Sequence, residues 1–549
     1  MVKLEKYTIC HLVSKSIEKF GDKVALSYIG EEGMSYKDLG INIQSTAETL
    51  DILEVEKGDK VAVLGENSPN WGVSYLSILC KGAIVVPILP EFHENEIMTI
   101  LEHSESKVVF LSEKQYARMG KLIEDKDYKV IIIDKLKFKS EKAKTESKLA
   151  VYFPCQDELV SENDLAAIIY TSGTTGSSKG VMLTHKNLSW QVNKLQTVQP
   201  VDETDRFVSI LPMSHTLENS VGFLLPLHTG ASVYYIRKQP PAPSVLIDAF
   251  QKIKPTILLT VPMIIEKIYR KQVLPKFEKS FITRNLFKFK PTRVLLNRLA
   301  GKKLAVVFGG ELKFFGIGGA KLDGQIERYL REAKFPYAIG YGLTETAPML
   351  SGSSPKDSVY QGTGPAMEGI HMKLINVNEE TGLGEIVASG PNVMPGYYKN
   401  EEATKAVFTE DGYFRTGDLG YIDKKGVVYI RGRIKNMILG TSGENIYPEE
   451  IESLINGIEA VEESLVLHLQ GKIIAMVNIN LEELENKMLK LNEKAVEISH
   501  ETMDEVLAEI QQYVNQRVNK FSRLNKVVFH ATPFEKTPTK KIKRYLYGG

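Results

Sequence analysis

The sequence predicts an α/β protein, with a large multi-subdomain N-terminal domain of mostly parallel sheets flanked by helices and a small α+β C-terminal domain. Three observations predict it. Short apolar, β-branched runs recur: VAVLGEN, AIVVPIL, KVVFLS, KVIIID and LAAIIYTSG. Amphipathic stretches of helical period separate several of them, which is the pattern of βαβ units. Beyond Gly432 the texture changes to a short strand and turn, then YPEEIESLI, the run VLHLQGKIIAMVNIN and a long amphipathic helix around Met503 to Val518. Domains at 1–432 and 433–549 follow from that change.

Composition narrows the class. A chain of 549 residues with 43% hydrophobic content can bury several cores, which argues against a disordered or fibrous protein. The formal net charge of +1 supplies no global field, so no nucleic-acid partner is expected. Cys10, Cys80 and Cys155 are odd in number and far apart, which suits a reducing, cytoplasmic setting better than a disulfide framework. Charges interrupt the N-terminal run MVKLEKYTICHLVSKSIEKF before a secretory core can form. The weakly charged stretch Phe207 to Ile236 contains His215, Glu218, Asn219 and two prolines, so it reads as buried strands and loops and not as a membrane span. The charged run Lys135 to Ser147 reads as an exposed excursion.

The strongest chemical signal is YTSGTTGSSKG, Tyr170 to Gly180, which follows the apolar run LAAII. Glycines such as Gly173 let backbone N–H groups converge on anionic oxygens. Thr171, Ser172, Thr174 and Thr175 add hydroxyl donors, and Lys179 adds a mobile cation. The run departs from a P-loop, because Ser178 stands where the second glycine belongs and Gly180 replaces the magnesium-binding Ser or Thr.

Further along stand LPMSHTLE around His215, GIGGAKL at 316–322, GYGLTET at 340–346, YFRTGDLG at 413–420, RGRIKN at 431–436 and KTPTKKIKR at 536–544. In this order, the set resembles the adenylate-forming superfamily of acyl-CoA synthetases, adenylation domains and luciferases. The resemblance covers nearly the whole chain, and its ending is most similar to that of long-chain fatty acid–CoA ligases.

The resemblance implies an AMP-forming acid–thiol ligase using ATP, Mg²⁺ and CoA. Tyr341, between Gly340 and Gly342, can stack on a purine, Thr344 offers a hydroxyl, and Glu345 offers a hard oxygen for Mg²⁺ beside Thr175. Asp418 can accept from ribose hydroxyls, and Arg433 can hold a ribose or phosphate oxygen. Gly318, Gly319 and Ala320 read as pocket wall, where small residues permit close approach to the backbone. His215 is expected beside the substrate carboxylate. Lys541 is the candidate catalytic lysine, neutralising charge as a carboxylate attacks the α-phosphate. Lys435 stands at the family's hinge. Rotation of the mobile small domain is implied to bring Gly440, Gly443 and Glu444 to the thiol.

The implied substrate is a fatty acid. The segment 267–303, rich in Lys and Arg with interleaved Leu and Phe, can touch an anionic membrane at its inner face, guide CoA phosphates, or cover the core as a solvated amphipathic helix pair. Monomer and homodimer remain equal expectations. The alternatives are a fatty acyl-AMP ligase serving an acyl-carrier protein, a luciferase-like monooxygenase, and a non-catalytic nucleotide binder, for which Lys541 and Glu345 would have no use.

Overall fold

The computed structural model describes residues 3–136, 159–171, 178–239, 241–278, 281–439, 445–458, 460–469, 471–481, 500–537 and 541–548. Most of the charged run from Lys135 to Ser147 lies outside them.

Two seven-stranded sheets form the N-terminal part. One runs in the order Gly396–Tyr397, Lys179–Thr184, Leu165–Thr171, Ile84–Ile88, Lys60–Leu64, Ser106–Leu111, Lys129–Ile132. Its last five strands are parallel, while the first two are added antiparallel. The continuous apolar runs of the sequence are its central strands, because a parallel sheet covered on both faces leaves no polar side. The other runs Tyr337–Ile339, Phe314–Ile317, Ile257–Thr260, Arg206–Val208, Ser232–Tyr235, Val24–Tyr28, Met34–Ser35, and only its last pairing is antiparallel.

A third sheet is antiparallel throughout: His371–Ile375, Gly384–Ser389, Phe414–Ile422 and Val428–Arg433. Beyond it, Val461–Leu469, Lys472–Ile479 and Lys526–Phe529 form a three-stranded sheet. With helices Pro448–Ile455 and His500–Asn515 it buries a core of its own, including Ile451, Val466, Val477 and Val514. This is the small α+β unit read from the sequence.

Two segments differ from expectation. Phe207 to Ile236 carries strands at its ends, but its middle is helical: a π-helix, Glu218–Leu224, runs into an α-helix, Leu225–Thr229. Every residue of both is buried, so no polar alternation marks the period. Phe223 wedges edge-on against the stacked rings of Trp71 and Tyr75, at 6.3 and 6.0 Å between centroids. The basic stretch from Lys267 onward is not a helix pair. It breaks into Pro262–Ile268, a π turn at Tyr269–Val273, Leu274–Glu278, Phe281–Lys288 and Lys290–Val307, with prolines in the opening turns of the first and last. Among the described residues no helix is long and apolar enough to cross a membrane.

Burial lowers the pKa of three histidines, His185, His215 and His228, to about 4, below the ordinary 6.5. Among the described residues neither ring nitrogen of His228 has a hydrogen-bond partner, and His185 keeps only the bond from the Ile9 N–H. The unfolded chain therefore takes up these protons near pH 6.5 and the folded chain only near pH 4. The histidines' contribution to stability is full above 6.5 and falls as pH drops through that window, by up to about 1.4 kcal/mol per pH unit for each histidine. Urea unfolding at pH 7.0, 6.0 and 5.0 should show the midpoint falling steadily, and His228→Gln should flatten the slope by roughly one proton's worth.

Candidate active site

The strands on either side of the glycine-rich run form a β-hairpin. Strands Leu165–Thr171 and Lys179–Thr184 pair antiparallel with Thr171 opposite Lys179, so the element after the loop is a strand. Ser172, Gly173, Thr174 and Thr175 lie outside the described residues. The Lys179 ammonium stands 5.0 Å over the ring of Tyr397, and the Tyr397 hydroxyl donates to Glu345 Oε1 at 2.9 Å. Tyr397 thereby joins the cation of the loop to the carboxylate of GYGLTET. Sequence reasoning missed it, although PGYYKN offers an aromatic next to glycine, the same signal that marked Tyr341.

Glu345 rides on a 3₁₀ turn, Thr344–Thr346, held by Asn392, whose Nδ2 donates to the Thr346 carbonyl at 2.7 Å and the Met349 carbonyl at 2.9 Å. Gly342 precedes the turn in a short strand. A Cβ there would come within 1.8 Å of the Pro348 carbonyl oxygen, so only glycine fits.

Asp418 and Arg433 stand directly opposite one another on strands Phe414–Ile422 and Val428–Arg433. The Arg433 Nε pairs with Asp418 Oδ1 at 3.0 Å, and the Tyr341 hydroxyl donates to Asp418 Oδ2 at 2.8 Å. Burial, then the Asp418 charge, push the Tyr341 phenol well above its usual 10, so it remains a donor. Asp418 therefore lies in a strand, its carboxylate buried and pre-oriented. The expected Gly-flanked turn at 340–342 is also partly strand, since Tyr341–Gly342 pairs with Met349–Ser351.

Gly318, Gly319 and Ala320 follow strand Phe314–Ile317. The Gly318 N–H donates to the Thr260 carbonyl at 3.1 Å, and a Cβ on Gly318 would meet Leu217 at 3.1 Å. Gly340 joins the same edge, its N–H donating to the Ile317 carbonyl at 3.1 Å. The wall thus abuts the His215 segment. His215 Nδ1 accepts from the Leu217 N–H at 3.2 Å, which leaves the proton of the neutral ring on Nε2. Its low pKa comes from burial first and the Lys541 charge second.

Lys541 comes from the far end of the chain. Its tail is anchored, because Lys536 pairs with Glu463 and Arg544 with the buried Glu452. Lys541 keeps solvent access, yet its ammonium lies deep in a cleft. Lost hydration lowers its pKa most, the Arg433 charge lowers it further, and Asp418 and Glu345 oppose both. Four expected site residues, Arg433, Asp418, Glu345 and His215, thus lie within electrostatic reach of this one lysine. Lys435 sits exposed on the 3₁₀ turn Ile434–Asn436, directly after the strand that ends at Arg433. Gly440, Gly443 and Glu444 lie outside the described residues.

The description "AMP-binding enzyme" belongs to the family model that matches residues 13–398. The chain belongs to the AMP-binding enzyme family. A chloroplastic long-chain-fatty-acid–[acyl-carrier-protein] ligase of Arabidopsis thaliana is 27% identical, over 96% of this chain and 83% of the plant protein. Fatty acyl-CoA synthetase A of Dictyostelium discoideum is also 27% identical, over 93% of this chain and 83% of its own. In structure, the chain is similar to ATP-bound MatB from Rhodopseudomonas palustris, at 25% identity, a TM-score of 0.74 and 98% coverage of both chains. The fold is shared with the O-succinylbenzoate coenzyme A synthetase of Bacillus subtilis in complex with AMP, at 22% identity, a TM-score of 0.76, and 98% and 97% coverage.

In this AMP-binding enzyme the Gly342 contact is backbone against backbone, so no side chain can yield to an added methyl. Gly342→Ala should abolish ATP–pyrophosphate exchange, or lower it at least about 100-fold if the turn shifts. Tyr397→Phe should leave melting within a few degrees and raise the Mg²⁺ concentration needed for half-maximal exchange, measured by magnesium titration.

Proposed function

We propose that the chain activates a long-chain fatty acid with ATP, giving acyl-AMP and pyrophosphate, and then transfers the acyl group to the thiol of CoA. The observation that carries this reading is the convergence of Lys541 from the C-terminal unit on Arg433, Asp418, Glu345 and His215. Carboxylate and α-phosphate repel one another, and a cation between them removes part of the barrier to attack. Asp418 takes the ribose hydroxyls, Tyr341 the purine face, and Arg433 a ribose or phosphate oxygen. His215, neutral with its proton on Nε2, donates to the acid's carboxylate. The hairpin loop from Thr171 to Lys179, with Ser172, Gly173, Thr174 and Thr175, takes the outer phosphates. Mg²⁺ fits Glu345 and Thr175, both hard oxygen donors, and it supplies neutralisation of phosphate charge.

In the same reading the N-terminal domain, 1–432, binds ATP and acid, and the C-terminal domain, 433–549, delivers Lys541. Lys435, exposed beside the strand that ends at Arg433, is the hinge. Its rotation exchanges Lys541 for the face carrying Gly440, Gly443 and Glu444 after pyrophosphate leaves. Pyrophosphate release, assayed across acids from acetate to stearate with and without CoA, tests the reading. Strong release with C12 to C18 acids that depends on CoA is expected, and no release with any acid would sink it. Lys541→Ala should slow adenylation on the order of 10² to 10³-fold and spare thioester formation from supplied acyl-AMP. The 27% identity to a plant ligase named for acyl-carrier protein favours one second reading, with a carrier-protein thiol as acceptor. Thioester assays offering CoA or holo-carrier protein separate the two.

Peripheral contact with an anionic leaflet belongs to the same proposal, and helix Lys290–Val307 supports it. Asn297, Gly301 and Leu304 bury its inner side. On the opposite side Leu295, Val306 and Leu299 lie within about 40° of one another, at 100° per residue. They are 59%, 63% and 53% exposed, with Phe289 at the helix start 66% exposed. Arg298, Lys302 and Lys303 flank this stripe without an ion pair among the described residues, and the sequence holds no acidic residue from 279 to 310. An apolar stripe bordered by cations suits the headgroup boundary where fatty acids partition. Co-sedimentation with phosphatidylcholine vesicles containing 30% phosphatidylglycerol should show binding that Leu295→Asp/Leu299→Asp weakens at least about tenfold. Activity on a dissolved medium-chain acid should stay the same, and undiminished binding by the double variant would remove this contact.

A further inference from the structure

The segment carrying His215 is fixed by a polar chain that the adenylation chemistry does not itself use. Asn67 lies between strand Lys60–Leu64 and helix Pro69–Cys80. Its Nδ2 donates to Ser209 Oγ at 2.9 Å and the Leu211 carbonyl at 2.6 Å, and its Oδ1 accepts from the Met213 N–H at 2.8 Å. The Ser209 hydroxyl in turn donates a hydrogen bond to Glu218 Oε1 at 2.5 Å. Both ends of segment 209–218 are therefore tied through one hydroxyl. The Asn219 N–H closes the last turn onto the His215 carbonyl at 2.9 Å.

Glu218 opens the π-helix, and that helix holds two other parts of the site. The Tyr75 hydroxyl donates to Asn219 Oδ1 at 3.0 Å, and Ser220 Oγ donates to the Ala347 carbonyl at 3.0 Å, one residue past the turn that bears Glu345. Gly222 is glycine because a Cβ there would lie 2.7 Å from the Glu218 carboxyl carbon. A π-helix and a buried carboxyl are both costly, and costly features persist where the surroundings fix them.

We propose that Glu218 and Asn67 are positioning residues which, through Ser209, hold His215 in register against the Thr344–Thr346 turn and so set recognition of the acid and not of ATP. The proposal rests on the adenylation reading and deepens it.

The chemistry of Glu218 supplies a readout that a merely structural role would not move. Burial raises its carboxyl to about 8, opposed only by the Ser209 bond. The titratable groups around it are Tyr235 and, beyond it, Tyr28 on the neighbouring strands, Tyr75 across Asn219, and His215 in its own segment; none is charged at pH 7. The carboxyl is thus neutral at pH 7 and ionises above 8. The same raised value costs stability progressively as pH rises from 4.5 to 8, because the unfolded chain sheds the proton first.

Acid-dependent ATP–pyrophosphate exchange, with ATP and acid varied separately from pH 6 to 9.5, tests this on the full-length protein. Glu218→Ala and, as the milder variant, Ser209→Ala should lower kcat/KM for the acid about tenfold while KM for ATP stays within twofold. Glu218→Gln keeps the shape and the acceptor. It should match the wild type at pH 7, abolish the wild-type decline above pH 8, and gain in melting temperature over the wild type as pH rises. Equal losses toward ATP and acid, wild-type acid kinetics in both truncations, or an unchanged alkaline decline in Glu218→Gln would each overturn the inference. An absence of exchange by the wild type with every acid would overturn the adenylation reading together with it.

Discussion

The buried carboxylate of Asp418 is the constraint on which the site depends. A carboxylate held away from water is tolerated only where donors surround it, and two of its donors come from different parts of the chain. Arg433 faces it across an antiparallel pair, and Tyr341 reaches it from a short strand just beyond the second sheet, paired antiparallel with Met349–Ser351. The third sheet and the second are therefore locked in one relative position by a charge that would otherwise be uncompensated. Either donor alone would leave one oxygen bare in a buried place.

From that lock the remaining geometry follows by short links. Tyr341 leads directly into Gly342 and the 3₁₀ turn, so fixing Tyr341 fixes Glu345. Glu345 accepts from Tyr397, and the Tyr397 ring carries Lys179, which ties the hairpin of the first sheet to the same point. On the other side the π-helix reaches the turn through Ser220 and Ala347. The first sheet thus reaches the turn through Tyr397, the third holds Tyr341 just before it, and the π-helix holds Ala347 just after it. Such fixed donors and charges are what preorganised electrostatic stabilisation of the proposed reaction would use.

How much of this was legible in the sequence follows from how far each interaction reaches along the chain. The parallel strands declared themselves as uninterrupted apolar runs, and the glycine-rich motifs declared themselves by local composition. Asp418 and Arg433 were both visible as candidates, but not as partners, because register across a hairpin is set by pairing and turn geometry. That the strands flanking the glycine-rich run pair as a hairpin was hidden for the same reason, since a Gly-rich run looks alike before a helix or a strand. Tyr397 went unremarked, and Glu218 counted only as a charge against a membrane span, because their roles arise from contacts with Glu345, 52 residues away, and with Ser209 beneath a helix of uncommon type. The middle of 207–236 is buried on all sides, so its helical period left no polar trace.

The C-terminal lysine is mounted on an anchored tail. The ammonium of Lys541 is short of hydration in the cleft and faces Arg433, a like charge, so its residence there is opposed until anions arrive. A loose tail would move it elsewhere at little cost. Instead Lys536 and Arg544 pin either side of the lysine to Glu463 and Glu452 of the small unit, and the Thr537 N–H donates to the Lys541 carbonyl at 2.7 Å. Lys541 is thereby tied on both sides to the small unit. In the proposed reaction, a bound carboxylate and triphosphate would give the ammonium anionic partners, and loss of pyrophosphate would remove part of that stabilisation. In the proposed cycle, such a mount would couple the local balance of charge at the ammonium to the position of the small unit that carries it.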